Sequence, residues 1–120
     1  MKVAIILHAG PNGGGESLAR AVHALLYAQE IHDAGGAVKL ILDGAATAWV
    51  GQFENPDFKY HSLYKAVKQL GVIADVCPYC ADAFGVQEQV QASRLPQPGA
   101  YQGHPSLAQL LKEDYTPIVL

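Results

Sequence analysis

Short apolar runs of branched residues alternate along this chain with stretches of helical periodicity, and that alternation limits the fold more than any other feature. Lys2 to Leu7, Ala37 to Leu42 and Val72 to Val76 each carry a nearly continuous apolar block rather than an every-other-residue pattern. Such blocks suit strands covered on both faces, the situation in a parallel sheet. Between the first two, Gly15 to Ala34 sets Leu18, Ala21, Val22, Leu25, Leu26 and Ile31 roughly on one helical face, and Gly35-Gly36 ends it. Asn55-Pro56-Asp57 predicts the start of another helix, with Asn as cap and Pro in the first turn, continuing through Tyr60, Leu63, Tyr64, Val67 and Leu70. Ala45 to Phe53 reads as a short apolar helix or a loop, and Cys80 to Gln91 as one or two short helices broken near Gly85. Arg94 to Gly103 is a Pro/Gly/Gln-rich loop with room for a brief strand at Ala100 and Tyr101. His104-Pro105-Ser106 opens a last helix through Leu107, Leu110 and Leu111, and Thr116 to Leu120 supplies a terminal strand. The prediction is one α/β domain over residues 1–120, its mostly parallel sheet joined by right-handed crossovers with helices on both faces.

Half of the 120 residues are hydrophobic and 16% are charged, which gives a globular chain with one core rather than a disordered one. A net charge of -3 with Lys and Arg scattered argues against nucleic acid as a partner. No run approaches membrane-spanning length, and the first is too short for a secretory leader, so no membrane partner and a cytoplasmic location are expected. Two cysteines in such a compartment read as reactive, metal-binding or buried rather than as a structural staple.

Both cysteines fall in one tetrapeptide, Cys77-Pro78-Tyr79-Cys80, directly after the third apolar run. A thiol between a strand and a helix start lies near unpaired backbone amides and the positive end of a dipole, which favours thiolate. Cys77 is therefore predicted to be the more reactive thiol, with Cys80 as its resolving neighbour. The string matches the active site of glutaredoxins, but a thioredoxin-like chain has most of its domain behind that motif, whereas only the last third follows Cys80. No cis-proline loop of that fold is evident either. Zinc on Cys77, Cys80 and two of His8, His23, His32, His61 and His104 lacks the usual close His spacing or a second Cys pair, so no metal or other cofactor is expected. Gly10 to Ser17 has the spacing of a phosphate loop, but Glu16 stands at the lysine position and would repel phosphate. That segment reads as a flexible strand-to-helix turn.

His8, Asp43 and Cys77 each end one of the first three strands, and parallel neighbours bring such ends to the sheet edge where open α/β folds bind ligands. The candidate site is thus Cys77 and Cys80 as the chemical groups, with His8, Asp43, Gly44 and Tyr79 as the substrate-binding set. Trp49, Phe53, Tyr79 and Phe84 read as pocket wall or as subunit interface, and interface is preferred for at least some.

The opening strand with its Gly-rich turn, Leu42-Asp43-Gly44, Gly71 to Cys77 followed by Ala81 and Phe84-Gly85-Val86, and Gly103-His104-Pro105-Ser106-Leu107 with the terminal strand recur in order across nearly the whole chain. In that order they resemble the DsrE/DsrF-like sulfur-relay family. The resemblance implies a three-layer α/β/α fold with a mostly parallel five-stranded sheet, and assembly into homotrimers or homohexamers. Relatives that relay sulfur hold it as a persulfide on a cysteine in the loop after the third strand, and Cys77 matches that position. Cys80 departs from members with a single cysteine there. The expected function is a sulfur carrier exchanging sulfane sulfur with donor and acceptor proteins or small persulfides. The alternatives are a thiol-disulfide redox protein using both cysteines and a non-catalytic oligomeric module that binds a small ligand.

Overall fold

The computed structural model describes residues 1–120, and its centre is a sheet of four parallel strands in the order β3-β2-β1-β4. These are β1 (Lys2–Leu7), β2 (Ala37–Leu42), β3 (Ile73–Val76) and β4 (Thr116–Val119). Leu7 of β1 pairs with Leu42 of β2, and Leu42 with Val76 of β3, so the three strands end level with one another. The residue after each strand extends the ladder: His8 N donates to Leu120 O at 2.7 Å, Asp43 N to Leu7 O at 2.9 Å, and Cys77 N to Leu42 O at 3.0 Å. His8, Asp43 and Cys77 therefore stand in a row on the carboxyl edge because backbone pairing sets them there.

The helices are α1 (Gly14–Asp33), α2 (Trp49–Phe53), α3 (His61–Gln69), α4 (Pro78–Ala83), α5 (Gln87–Ser93) and α6 (Leu107–Lys112). Alternation along the strands divides them between two faces. Ile5, Leu7, Leu40 and Leu42 join a core with Ala21, Ala24, Leu25 and Ala28 of α1 and with side chains of α2 to α5, whereas Ala4, Ile6 and Ile41 meet only Leu110 of α6 and the half-buried Tyr115. The three layers are present but unequal. The buried stripe of α1 is Ala21, Ala24, Leu25 and Ala28 at helical spacing, flanked by the partly buried Leu18 and Ile31, while Leu26 and Tyr27 stay exposed.

Three expectations change. The sheet has four strands, not five: between Arg94 and Ser106 there is one isolated antiparallel bridge, Tyr101 to His104, and no strand. Pro96, Pro98 and Pro105 offer no backbone donor there, and Gly99, Gln102 and Gly103 adopt positive φ, which interrupts any ladder. The segment instead closes the outer edge of β3, with Val76 N donating to Pro96 O at 2.8 Å. Helix α3 starts at His61 rather than Asn55, because the Asn55 carboxamide accepts from Asp57 N and holds residues 55–60 in turns. Trp49 and Phe53 are 2% and 1% exposed, so they are core and not interface. Phe53 stacks on Trp49 at 5.5 Å and on Tyr64 at 5.2 Å, contacts worth about 0.5–1.5 kcal/mol each beyond their burial. Trp49 Nε1 also donates to Ala9 O at 2.7 Å, tying the turn after β2 to the turn after β1.

Candidate functional site

Asp43 leaves β2 in extended backbone and caps the 3-10 turn Gly44–Ala48, its Oδ1 accepting from Gly44 N at 2.8 Å. Gly44 has φ of 54°, and a Cβ there would stand 3.2 Å from His8 Nδ1, so the position suits glycine on both counts. One strand over, Cys77 is the N-cap of α4, and its Sγ accepts from Cys80 N at 3.3 Å. Cys80 points its thiol back toward β2 and donates to Asp43 Oδ1 at 3.5 Å.

The segment after α5 folds over this pair. Tyr79 N donates to Gly103 O, and the reciprocal backbone bonds of Tyr101 and His104, both 2.8 Å, fix the turn that carries the imidazole. His104 Nδ1 lies 3.4 Å from Cys77 Sγ, and the Cys77 thiol donates to Gly103 O at 3.7 Å. The Tyr79 ring sits 4.6 Å from the His104 ring and is 61% exposed, forming an outer wall. Ligating atoms of Asp43, Cys77, Cys80 and His104 all lie within 4.8 Å of one another.

The structure therefore brings together Asp43, Gly44, Cys77, Tyr79 and Cys80. His8 is at the margin: it is exposed, beside Gly44, and shares with Asp43, Pro105 and Leu107 a shallow cavity of about 210 Å³. His104 belongs to the cluster, although nothing in the sequence sets it apart from the other four histidines as a neighbour of Cys77. It lies in the Gly103-His104-Pro105-Ser106 segment, whose return over the strand ends cannot be read from strand order.

The expectation of a resting Cys77 thiolate does not hold. Cys77 is fully buried, and that burial pushes its thiol up to about 12, opposed by the Cys80 N–H and reinforced by Asp43. The amides that were to lower it are mostly absent: Pro78 has no N–H, and the Tyr79 N–H is committed to Gly103. Cys80 is only half-buried. The arrangement is thus a protonated, enclosed thiol touching an imidazole, with a second thiol one helical turn on.

Asp75 supports the covering segment from β3. It is 6% exposed, its Oδ2 accepts from Gly99 N at 3.3 Å, and its Oδ1 has no partner. Burial, more than the nearby Asp43, pushes its carboxyl up to about 6, against the lowering effect of Gly99 N–H.

No solved structure matches this chain. It is 31% identical over 120 residues to an uncharacterized protein of Methanocaldococcus jannaschii, an alignment covering 100% of this chain and 96% of that protein. The model of the DsrE/DsrF-like family matches residues 1–120, including the turn after the third strand where Cys77 sits, and the chain belongs to that family.

Proposed function

We propose that this protein is a sulfur carrier that holds sulfane sulfur as a persulfide on Cys77. The contact that carries this reading is Cys77 Sγ against His104 Nδ1 at 3.4 Å, in the turn after the third strand. Family membership supports it, since sulfur relay is associated with this family.

In the proposed loading step, the Cys77 thiol gives its proton to His104 and attacks the outer sulfur of a donor persulfide. A sulfur–sulfur bond forms at Cys77 as the donor's own sulfur–sulfur bond breaks, and the donor thiolate takes the proton from His104. Burial excludes water from the stored sulfur. Since Cys77 is covered by the 98–104 turn, loading requires that turn to yield, and alkylation of the resting protein falls first on Cys80. Transfer to an acceptor thiolate reverses the same chemistry. Attack by Cys80 is the other exit: it leaves a Cys77–Cys80 disulfide and releases hydrosulfide.

The two thiols lie within 4.8 Å, which favours a second reading, a thiol-disulfide redox protein using the same pair. Intact mass after treatment with a sulfane-sulfur donor separates the two. The carrier gains one sulfur atom on Cys80→Ser and none on Cys77→Ser. Failure of every form to load leaves the redox reading. Assembly as a homotrimer or homohexamer is part of the proposal, supported by the exposed Ile118 and Val119 on edge strand β4 and Leu107 and Leu111 on α6. Light scattering that returned a monomer of 12.8 kDa would remove it.

A further inference from the structure

We infer that Asp43, Cys77, Cys80 and His104 form a binding site for a zinc-class divalent cation, which revises the expectation of no metal. None of the four stands at zinc-finger spacing from a histidine or a second Cys pair in sequence, because they arrive from three separate segments: the end of β2, the turn into α4, and the turn that returns over them. Their ligating atoms lie within 4.8 Å of one another. Bond lengths of about 2.0–2.3 Å at a tetrahedral zinc put neighbouring ligand atoms about 3.3–3.8 Å apart. Two edges already have that length, Cys77 Sγ to His104 Nδ1 at 3.4 Å and Cys80 Sγ to Asp43 Oδ1 at 3.5 Å. The remaining edges need to contract by no more than about 1.5 Å, within rotamer adjustment of the half-buried Cys80, His104 and Asp43.

The donor set suits this class of ion. Thiolate and imidazole ligands select borderline and soft cations, and a carboxylate completes a tetrahedral set without demanding six oxygens. Outer contacts are in place as well: Cys80 N donates to Cys77 Sγ, and Gly44 N donates to Asp43 Oδ1 at 2.8 Å. Binding releases the protons of Cys77 and Cys80, since both thiols enter as thiolates. The same thiolate cannot hold the ion and sulfane sulfur together, so the metal form is a blocked state of the carrier. The site itself does not depend on the sulfur chemistry.

The test is a titration of the untagged, reduced and chelator-stripped full chain with Co²⁺, then displacement by Zn²⁺, with no sulfur donor present. Thiolate-to-cobalt charge-transfer absorption and strong tetrahedral ligand-field bands should saturate at one ion per chain. Cys80→Ser and His104→Gln should each weaken binding by more than the roughly 10–100-fold that loss of an outer contact costs. Cys80→Ser should also lose charge-transfer intensity. Cys77→Ser alters a fully buried position, so the Cys80 and His104 variants are the ones compared, with far-UV circular dichroism verifying their folds. Absence of charge transfer at one equivalent in the wild type, or unchanged spectra and affinity in both variants, overturns the site. A chain that binds cobalt but never loads sulfur retains the metal site and loses the carrier reading.

Discussion

The turns that follow β1 and β3 leave the same sheet edge and both lead into a helix, yet they share almost no chemistry. The first, Gly10 to Gly15, opens a helix of 20 residues with no side-chain cap, and its residues from Asn12 to Gly15 are exposed. The second opens a helix of six residues with a capping cysteine and is closed by another segment. If dipole strength made the site, the first turn would be the better one, because its helix is longer. The difference lies in convergence: only the second turn gathers two thiols, an imidazole and a carboxylate within 4.8 Å of one another.

The largest expected effect removes the thiol at the centre of that convergence. Cys77→Ser should reduce sulfur loading to background, because the serine hydroxyl is not a nucleophile toward sulfane sulfur under these conditions. Asn12→Ala, in the exposed first turn, should load like the wild type. Both are read by intact mass after identical donor treatment. Equal loading of Cys77→Ser and wild type would erase the functional difference between the turns.

His104→Gln tests how the second turn works rather than whether it does. Glutamine can still hydrogen-bond Cys77 but cannot take its proton, so loading should slow by on the order of 100-fold while its final extent is unchanged. Stopped-time mass spectra give both quantities. A wild-type rate in this variant would leave His104 as a packing neighbour of Tyr79 only.

A smaller effect belongs to the first turn. A Cβ on Gly10 would stand 2.6 Å from Ala45 O and from Ala45 Cβ, and backbone cannot rotate away as a side-chain tip can. Gly10→Ala should therefore destabilise the fold by about 3 kcal/mol, measured by urea unfolding. Loading per folded molecule should be intact. Loss of loading at full stability would mean that the glycine turn contributes to the chemistry.

What was legible in the sequence follows from how local each cause is. The strands showed because β1, β2 and β3 are covered on both faces and carry nearly continuous apolar residues, broken only by Lys39 in β2 and Asp75 in β3 after the leading Lys2 of β1, and the row of His8, Asp43 and Cys77 follows from parallel neighbours ending together. The burial of Trp49 and Phe53 was not legible, since an apolar pair in a short helix reads alike whether Tyr64 or a second subunit covers it. The missing fifth strand hinged on the positive φ of Gly99, Gln102 and Gly103, and composition does not fix those angles at a non-glycine such as Gln102. His104 and the raised pKa of Cys77 share one origin. Both depend on the 98–104 turn folding back, a contact between segments distant in sequence that no periodicity announces.

The smallest effect concerns what holds that covering turn in place, a device the first turn lacks. Asp75 offers Oδ2 to Gly99 N but leaves Oδ1 buried without a partner, so ionisation is costly in the folded state. Its carboxyl is pushed up to about 6 from the ordinary 3.8. Between those values the folded protein keeps a proton that the unfolded chain has released. The contribution to stability is therefore greatest below about pH 4 and declines as pH rises to about 6, at most about 3 kcal/mol in all. Asparagine retains an oxygen for Gly99 and does not titrate. Asp75→Asn should thus gain on the wild type by about that amount between pH 4 and pH 7, in urea unfolding of chelator-treated protein. A constant difference across that range would mean that the carboxylate finds a partner in solution, and that the covering turn is held by Pro96, Gly103 and His104 without strain at Asp75.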